Sequence, residues 1–216
     1  MKCDHQFDYL IYEPGFRQNL YIAGRNNSRL LINSKGKELI EEVPNLNRQG
    51  DYFTSLYDGE LKFFDSKGNV LIDEKFDSVV VLDKKRFLFR KKGDWGLMEI
   101  DGDEILKDDY SNILLLSKNK LALKEKDKWQ IFNYSGENME EGLLLDEIND
   151  IYQDGIIATV SGKTGFYNDR LKLRIKGIIE YNIGHMNELY ALQGNQWRIY
   201  NSDADLIVEK TFDDLK

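Results

Sequence analysis

The segment KKGDWGLMEIDGDEIL, residues 91–106, places a tryptophan-glycine pair between a charged turn and an alternating apolar stretch, and continues through Asp-Gly-Asp. Met once, Trp95 and the carboxylates after it would read as a reactive site. The arrangement recurs, and the recurrence decides the fold. RLLINSKGKELI (29–40), LKFFDSKGNVLI (61–72), WGLMEIDGDEIL (95–106), WQIFNYSGENME (129–140), TGFYNDRLKLRI (164–175) and WRIYNSDADLIV (197–208) align without a gap. Their turn positions, Gly36, Gly68, Gly102, Gly136, Leu171 and Ala204, are spaced by 32, 34, 34, 35 and 33 residues. Six copies of about 34 residues define a repeat architecture, in which each copy is one supersecondary unit.

Within a copy, an apolar strand meets a tight polar turn and then a second apolar strand. Glycine at the turn accepts positive φ at little cost, so Ser-Lys-Gly-Lys or Ile-Asp-Gly-Asp reverses the chain into a hairpin. Asp101 and Asp103 thereby become turn residues. Upstream of each hairpin runs a third apolar segment (NLYIAG, FTSLYD, RFLFRK, KLALKE, IIATVS, LYALQG), and before that a fourth, seen as FDYLIY (7–12), FDSVVVL (76–82), YSNILLL (110–116), LDEINDIY (145–152) and FDDL (212–215). Period-two segments such as LKFFD and WRIYN, together with 12 Tyr, 11 Phe, 17 Gly and only 2 Pro, favour strands over helices. The fold class is all-β, one domain over residues 1–216. Two architectures accommodate six four-stranded units: a six-bladed β-propeller-like closure, or an open array of β-meanders.

The tryptophan position is occupied by Arg29, Leu61, Trp95, Trp129, Thr164 and Trp197. A ring at one recurrent point predicts a shared core or inter-repeat contact, with Trp95, Trp129 and Trp197 largely buried in corresponding places. Gly96 and Gly165, next in line, are expected where a neighbouring ring or strand comes close. Lys92-Gly93-Asp94-Trp95-Gly96 through Tyr110 resembles the K-x-G-K-W-G-x-I-[DN]-x-x-G-K-x-[VI]-I pattern of WG (KWG) repeat proteins, best over residues 76–140. Trp129-Gln130 and Trp197-Arg198 keep the ring and lose the glycine, Thr164-Gly165 does the reverse, and the first two copies keep neither. The resemblance implies a β-repeat scaffold of bacterial proteins and no shared catalytic residues.

Chemistry is sparse. The only histidines, His5 and His185, lie in the first and last repeats, and Cys3 is the single cysteine. Paired metal-ligand spacing, a nucleophile with a base, and phosphate-cradling glycine motifs are all missing, so neither catalysis nor a cofactor is expected. No stretch of about 18 apolar residues occurs and the N-terminal MKCDHQFDYL lacks an apolar signal core, which gives a cytoplasmic expectation without membrane insertion. A formal net charge of −8 opposes general affinity for nucleic acid and favours a basic protein partner. The basic run DKKRFLFRKKGDW (83–95) is read as a strand with cationic ends and with Phe87 and Phe89 pointing inward, in phase with Leu121 and Leu123.

Residues that depart from their counterparts are free to serve recognition. In LLLDEINDIYQDG (143–155) the acids Asp146, Glu147, Asp150 and Asp154 cluster around Tyr152, an arrangement in which the ring would anchor a partner and the acids would speed encounter. The functional expectation is a non-catalytic protein-binding scaffold, with a toxin-neutralising immunity protein as a narrower form. The alternative is a carbohydrate or small-molecule binding protein, or hydrolase, that uses a central pocket.

Overall fold

The computed structural model describes residues 7–57, 60–116 and 119–212. Cys3, His5 and residues 213–215 of the last FDDL lie outside them. The described residues form 22 strands and no helix, as the alternation predicts. The chain divides into two compact units, Met1–Asp109 and Tyr110–Lys216.

In the first unit the strands group by repeat. The first sheet holds β1 (Tyr9–Glu13), β2 (Leu20–Arg25), β3 (Ser28–Asn33) and β4 (Glu38–Val43), in that order. The second holds β5 (Asn45–Gln49), β6 (Tyr52–Tyr57), β7 (Glu60–Phe64) and β8 (Val70–Phe76), and the third β9 (Ser78–Val81), β10 (Arg86–Lys91), β11 (Asp94–Glu99) and β12 (Glu104–Tyr110). The pairings within β1–β4, β5–β8 and β9–β11 are all antiparallel.

The second unit departs from the four-strand expectation twice. Its first sheet has three strands, β13 (Asn112–Leu115), β14 (Lys120–Glu125) and β15 (Lys128–Asn133); the fourth place is taken by isolated bridges, Trp129 to Leu145 and Phe132 to Asn138. The intervening NMEEGLL has no apolar alternation, and Gly142 holds φ +85°. The last two repeats share one seven-stranded sheet: β16 (Glu147–Tyr152), β17 (Gly155–Val160), β18 (Lys163–Tyr167), β19 (Leu173–Ile183), β20 (Leu189–Gln193), β21 (Gln196–Tyr200) and β22 (Leu206–Phe212). The 11-residue β19 pairs with β18 through its first half and β20 through its second, with Gly177 at φ +68° between them.

The turn chosen from the alignment is one structure in all six copies. The residue three before the aligned position accepts that position's N–H, as in Gly36 to Asn33 O (2.9 Å), Leu171 to Asn168 O (2.9 Å) and Ala204 to Asn201 O (3.0 Å). Each aligned residue is left-handed, with φ of +77°, +90°, +100°, +78°, +58° and +64° in chain order. Leu171 and Ala204 thus hold a conformation that favours glycine. What holds them is a side chain the alignment did not single out. Asn33, Asp65, Asn133, Asn168 and Asn201 each accept two backbone N–H groups, two and four residues on, at 2.8–3.1 Å. This is the Asx device, a carboxamide or carboxylate standing in for a backbone carbonyl.

The core lies between successive repeats of a unit. In the first unit Leu20, Ile22, Leu31 and Ile40 meet Leu46, Phe53 and Phe64, and Phe63 and Phe76 meet Val79, Phe87, Phe89 and Met98. Rings link the second group: Phe63 to Phe87 at 5.1 Å and Phe76 to Phe89 at 5.3 Å between centroids. In the second unit Ala122, Ile131 and Leu145 meet Ile156, Ala158 and Tyr167, while Tyr152, Ile157 and Phe166 meet Leu189, Ala191 and Tyr200. Phe87, Phe89, Leu121 and Leu123 are all buried, in agreement with their phase.

The glycines beside the tryptophan position have the close-approach role expected of them. A Cβ at Gly96 would sit 2.4 Å from Phe89 Cζ and 2.8 Å from Leu106 O; at Gly165 it would sit 2.7 Å from Ile175 O. Gly96→Ala therefore forces Phe89 or β12 to move, and it is expected to lower stability by about 1–3 kcal/mol in urea denaturation, the range of an overpacked core. An unchanged midpoint would show that Phe89 has room to yield.

Candidate functional site

The three tryptophans occupy equivalent places, each the second residue of the third strand of its repeat, paired with Arg90, Lys124 and Leu192 respectively. They are half-buried, which corrects the expectation of largely buried rings. Each stands one residue from the hairpin turn, at the end of the strand, where cross-strand side chains cover part of the ring. Arg90 Cζ lies 5.9 Å from the Trp95 centroid and Lys124 Nζ 5.8 Å from that of Trp129, cation–π contacts that leave the long stems over apolar surface. Trp129→Ala is expected to cost about 2 kcal/mol, below the 3–5 of a fully buried ring. A loss of 4 kcal/mol or more, by about the same scale, would mean the ring carries core packing that its exposure hides.

The 143–155 segment carries strand β16 over Glu147–Tyr152, as the repeat phase of LDEINDIY implied, but it does not gather its acids around an accessible Tyr152. Asp146 directly precedes the strand, and a bulge falls between Ile148 and Asp150. Tyr152 is 2% exposed, so it cannot anchor a partner. Its ring meets Phe166 edge-on at 5.3 Å and its hydroxyl donates to Asn187 O at 2.6 Å. The reason is register: Asp150 and Tyr152 face the next repeat, and at the strand end that direction is core.

Asp146 is occupied as well. It accepts from Lys128 Nζ and from the Gly162 N–H at 2.8 Å, fixing the β17–β18 turn. Asp77 does the same for the Gly93 N–H at 3.0 Å, so the acid of the Phe-Asp start is a recurrent turn lock. The Lys128 hydrogen bond, followed by that of Gly162, holds the Asp146 carboxyl below its ordinary range. A carboxylate with a depressed folded value adds stability above its unfolded value, and that stability is lost as pH falls through the folded one. Asp146→Asn should therefore destabilise at neutral pH, and the difference from the parent should close between about pH 5 and pH 2. A difference independent of pH would show that the charge is not what locks the turn.

Glu147 and Asp150 remain exposed, and the structure gives them a different aromatic partner. Both stand on the β16 face directed at the following repeat, and both raise the pKa of the Tyr181 phenol on β19, after the larger effect of its burial. Tyr181 also lines a pocket of about 680 Å³ with Glu180, Asn182, Ile183, Gly184, His185, Tyr190 and Trp197. The β19–β20 pairing sets Asn182 opposite Tyr190, and the β20–β21 pairing sets Leu192 opposite Trp197. Tyr190 closes over Gly184, where a Cβ would lie 2.8 Å from Tyr190 Cε2 and 2.6 Å from Glu188 Oε2. Glu180, Tyr190 and Trp197 thus share one face of the sheet with no lysine or arginine among the described lining residues, while Tyr181, opposite Ala191, turns its ring to the core face.

The remaining predicted residue, Asp154, is exposed in the β16–β17 turn and lines a separate cleft of about 400 Å³ with Asp169, Arg174, Asp203 and Asp205. The structure does not bring it to Tyr181. Among the described residues no three His, Cys, Asp or Glu side chains converge as a metal site would require. Beside His185, the described pocket lining holds no Ser, Thr or Cys that a base could activate. Nothing in the sequence pairs residues 147–150 with 180–197; only the repeat period, which stacks the first strand of one copy on that of the next, hints at it.

No family model matches the chain, and no curated protein does. Among solved structures, Hsv2 of Kluyveromyces lactis is similar over 86% of this chain and 70% of its own, at 11% identity and a TM-score of 0.44. A eukaryotic initiation factor is similar over 98% and 77%, at 9% identity and 0.43. PorZ, a bacterial surface component of the type-IX secretion system of Porphyromonas gingivalis, is similar over 93% and 32%, at 10% identity and 0.37. With scores below 0.5 these carry no residue across to this chain.

Proposed function

We propose that the chain is a non-catalytic protein-binding scaffold, and that its pocket around Tyr190 receives a basic side chain from a protein partner. The observation that carries this reading is the placement of Tyr190 and Trp197 with Glu180 on one face of the sheet, lining the pocket, with the exposed acids Glu147 and Asp150 on the neighbouring β16. Aromatic faces attract a cation through their quadrupole, and carboxylates beside them add steering and selectivity for positive charge. The net charge of −8 acts in the same sense. A sugar would use the same rings and offer its hydroxyls to the acids, but it gains nothing from the net charge.

Six copies of one turn, and sheets stacked through their faces, support a six-bladed propeller-like arrangement as the form of the scaffold. The Lys92–Tyr110 pattern supports membership of the WG repeat group, and with it a bacterial setting. Neutralising a basic toxin is the narrower role this surface would suit, in the cytoplasm where such a toxin acts.

Titration calorimetry with a hexa-arginine peptide tests the pocket, and a pull-down from host extract tests the partner. Glu180→Lys, and separately Glu147→Lys with Asp150→Lys, are expected to weaken peptide binding, the first about tenfold or more, while the unfolding midpoint holds. Unchanged peptide affinity in both variants would remove this surface from the proposal. Binding of a neutral oligosaccharide in place of the peptide would favour the carbohydrate reading.

A further inference from the structure

The first unit contains a cleft of opposite character. It measures about 680 Å³, and Arg17, Lys37, Lys67 and Lys84 line it with a single carboxylate, Asp51. Lys84 pairs with Asp51 at 3.3 Å. Arg17, Lys37 and Lys67 have no ion-pair partner among the described residues. In a chain with 38 acidic and 30 basic residues, three unpaired cations converging on one cleft run against the average field.

The cations come from four separate turns with fixed backbones. Arg17 lies between β1 and β2. Lys37 and Lys67 sit in the Asx turns locked by Asn33 and Asp65, to which their N–H groups donate at 3.1 and 2.8 Å. The carbonyl of Lys84 accepts from the Tyr52 hydroxyl at 2.5 Å. Gln18 Nε2 reaches Ser66 O at 3.5 Å, tying the β1–β2 loop to the β7–β8 turn. The turn also seats tightly on the first repeat: a Cβ at Gly68 would be 1.9 Å from Leu39 O. Phe16, stacked on Phe53 at 5.6 Å, and Leu39 supply an apolar floor.

We infer that this cleft binds a soluble anion carrying two or more phosphate groups. Three of the four cations are lysines, which bind phosphate as point charges on flexible stems, and an anion of several closely spaced charges engages more of them at once than a single carboxylate does. The volume is in the range of small-ligand sites and large against one orthophosphate. The cleft needs no glycine-rich cradle, because side-chain charge supplies what backbone N–H groups supply in such loops. The site is distinct from the Tyr190 pocket and stands or falls independently of it.

Titration calorimetry of the full chain in about 0.1 M salt, where exposed charges are substantially screened, with tripolyphosphate, adenosine triphosphate and orthophosphate as probes, tests the inference. Tripolyphosphate should bind, and orthophosphate should bind at least tenfold more weakly. Tighter binding of the nucleotide than of tripolyphosphate would assign the Phe16–Leu39 floor to its base; equal binding would assign the site to the phosphate chain alone, and both support it. Lys37→Gln with Lys67→Gln should lower affinity at least tenfold at an unchanged unfolding midpoint. Lys35→Gln with Lys85→Gln removes the same charge from neighbouring turn positions outside the lining and should leave affinity within twofold. Absence of binding, equal loss in both double variants, or equal affinity for a poly-glutamate peptide would overturn the assignment.

Discussion

A four-stranded sheet of this kind has no interior of its own, and that constraint governs the rest of the structure. Its side chains alternate between two faces, and in β2, β3, β10, β14 and β17 both faces are apolar, so each must be covered. Within each unit the cover is the next repeat, as the shared clusters show. Stability in such a system is the sum of weak units and strong interfaces. The recurrent small residues follow from it: Gly96 and Gly165 are small because a ring or a neighbouring strand already fills the space.

Much of the framework was legible because repetition turns one uncertain turn into six concordant ones. Leu171 and Ala204 would not be assigned a left-handed conformation from their own chemistry, yet alignment with four glycines placed them there, and both hold it. The alignment also returned the inward phase of Phe87 and Leu123. It did not reveal how a leucine is held in that conformation, because Asn and Asp at the locking position differ in type and share a geometric job only when the fold is formed. Repeat 4 has an ordinary turn and an irregular return, and only the lack of apolar alternation in NMEEGLL separates the two.

The surroundings of the 143–155 acids were legible in part. Glu147 and Asp150 are exposed acids beside an aromatic ring, as the composition of 143–155 implied, but the ring is Tyr181 and not Tyr152. Burial of Tyr152 follows from the bulge at Ile148–Asp150 and the pairing of Tyr152 with Gly155, which no single-strand pattern displays. The tryptophans were misjudged for a related reason: a large ring predicts burial on average, whereas a position one residue from a hairpin tip offers cover from one side only. The basic cleft was invisible, since its four cations are separated by up to 67 residues and each stands in an unremarkable polar turn.

The strand β19 carries a consequence of another kind. Elsewhere in the chain Pro44, Asp77 and Ser111 separate the last strand of one repeat from the first of the next, so the two ladders can open one after the other. Through β19 the ladder passes from β18 to β20 along a single unbroken segment, bent at Gly177. Pulling or melting either repeat strips pairing from the other, so the two behave as one cooperative block and not as two beads on a string. The final repeats are therefore joined by shared backbone as well as by packing, and a circular cut or an inserted domain would be tolerated far worse at residues 173–183 than at the breaks between earlier copies.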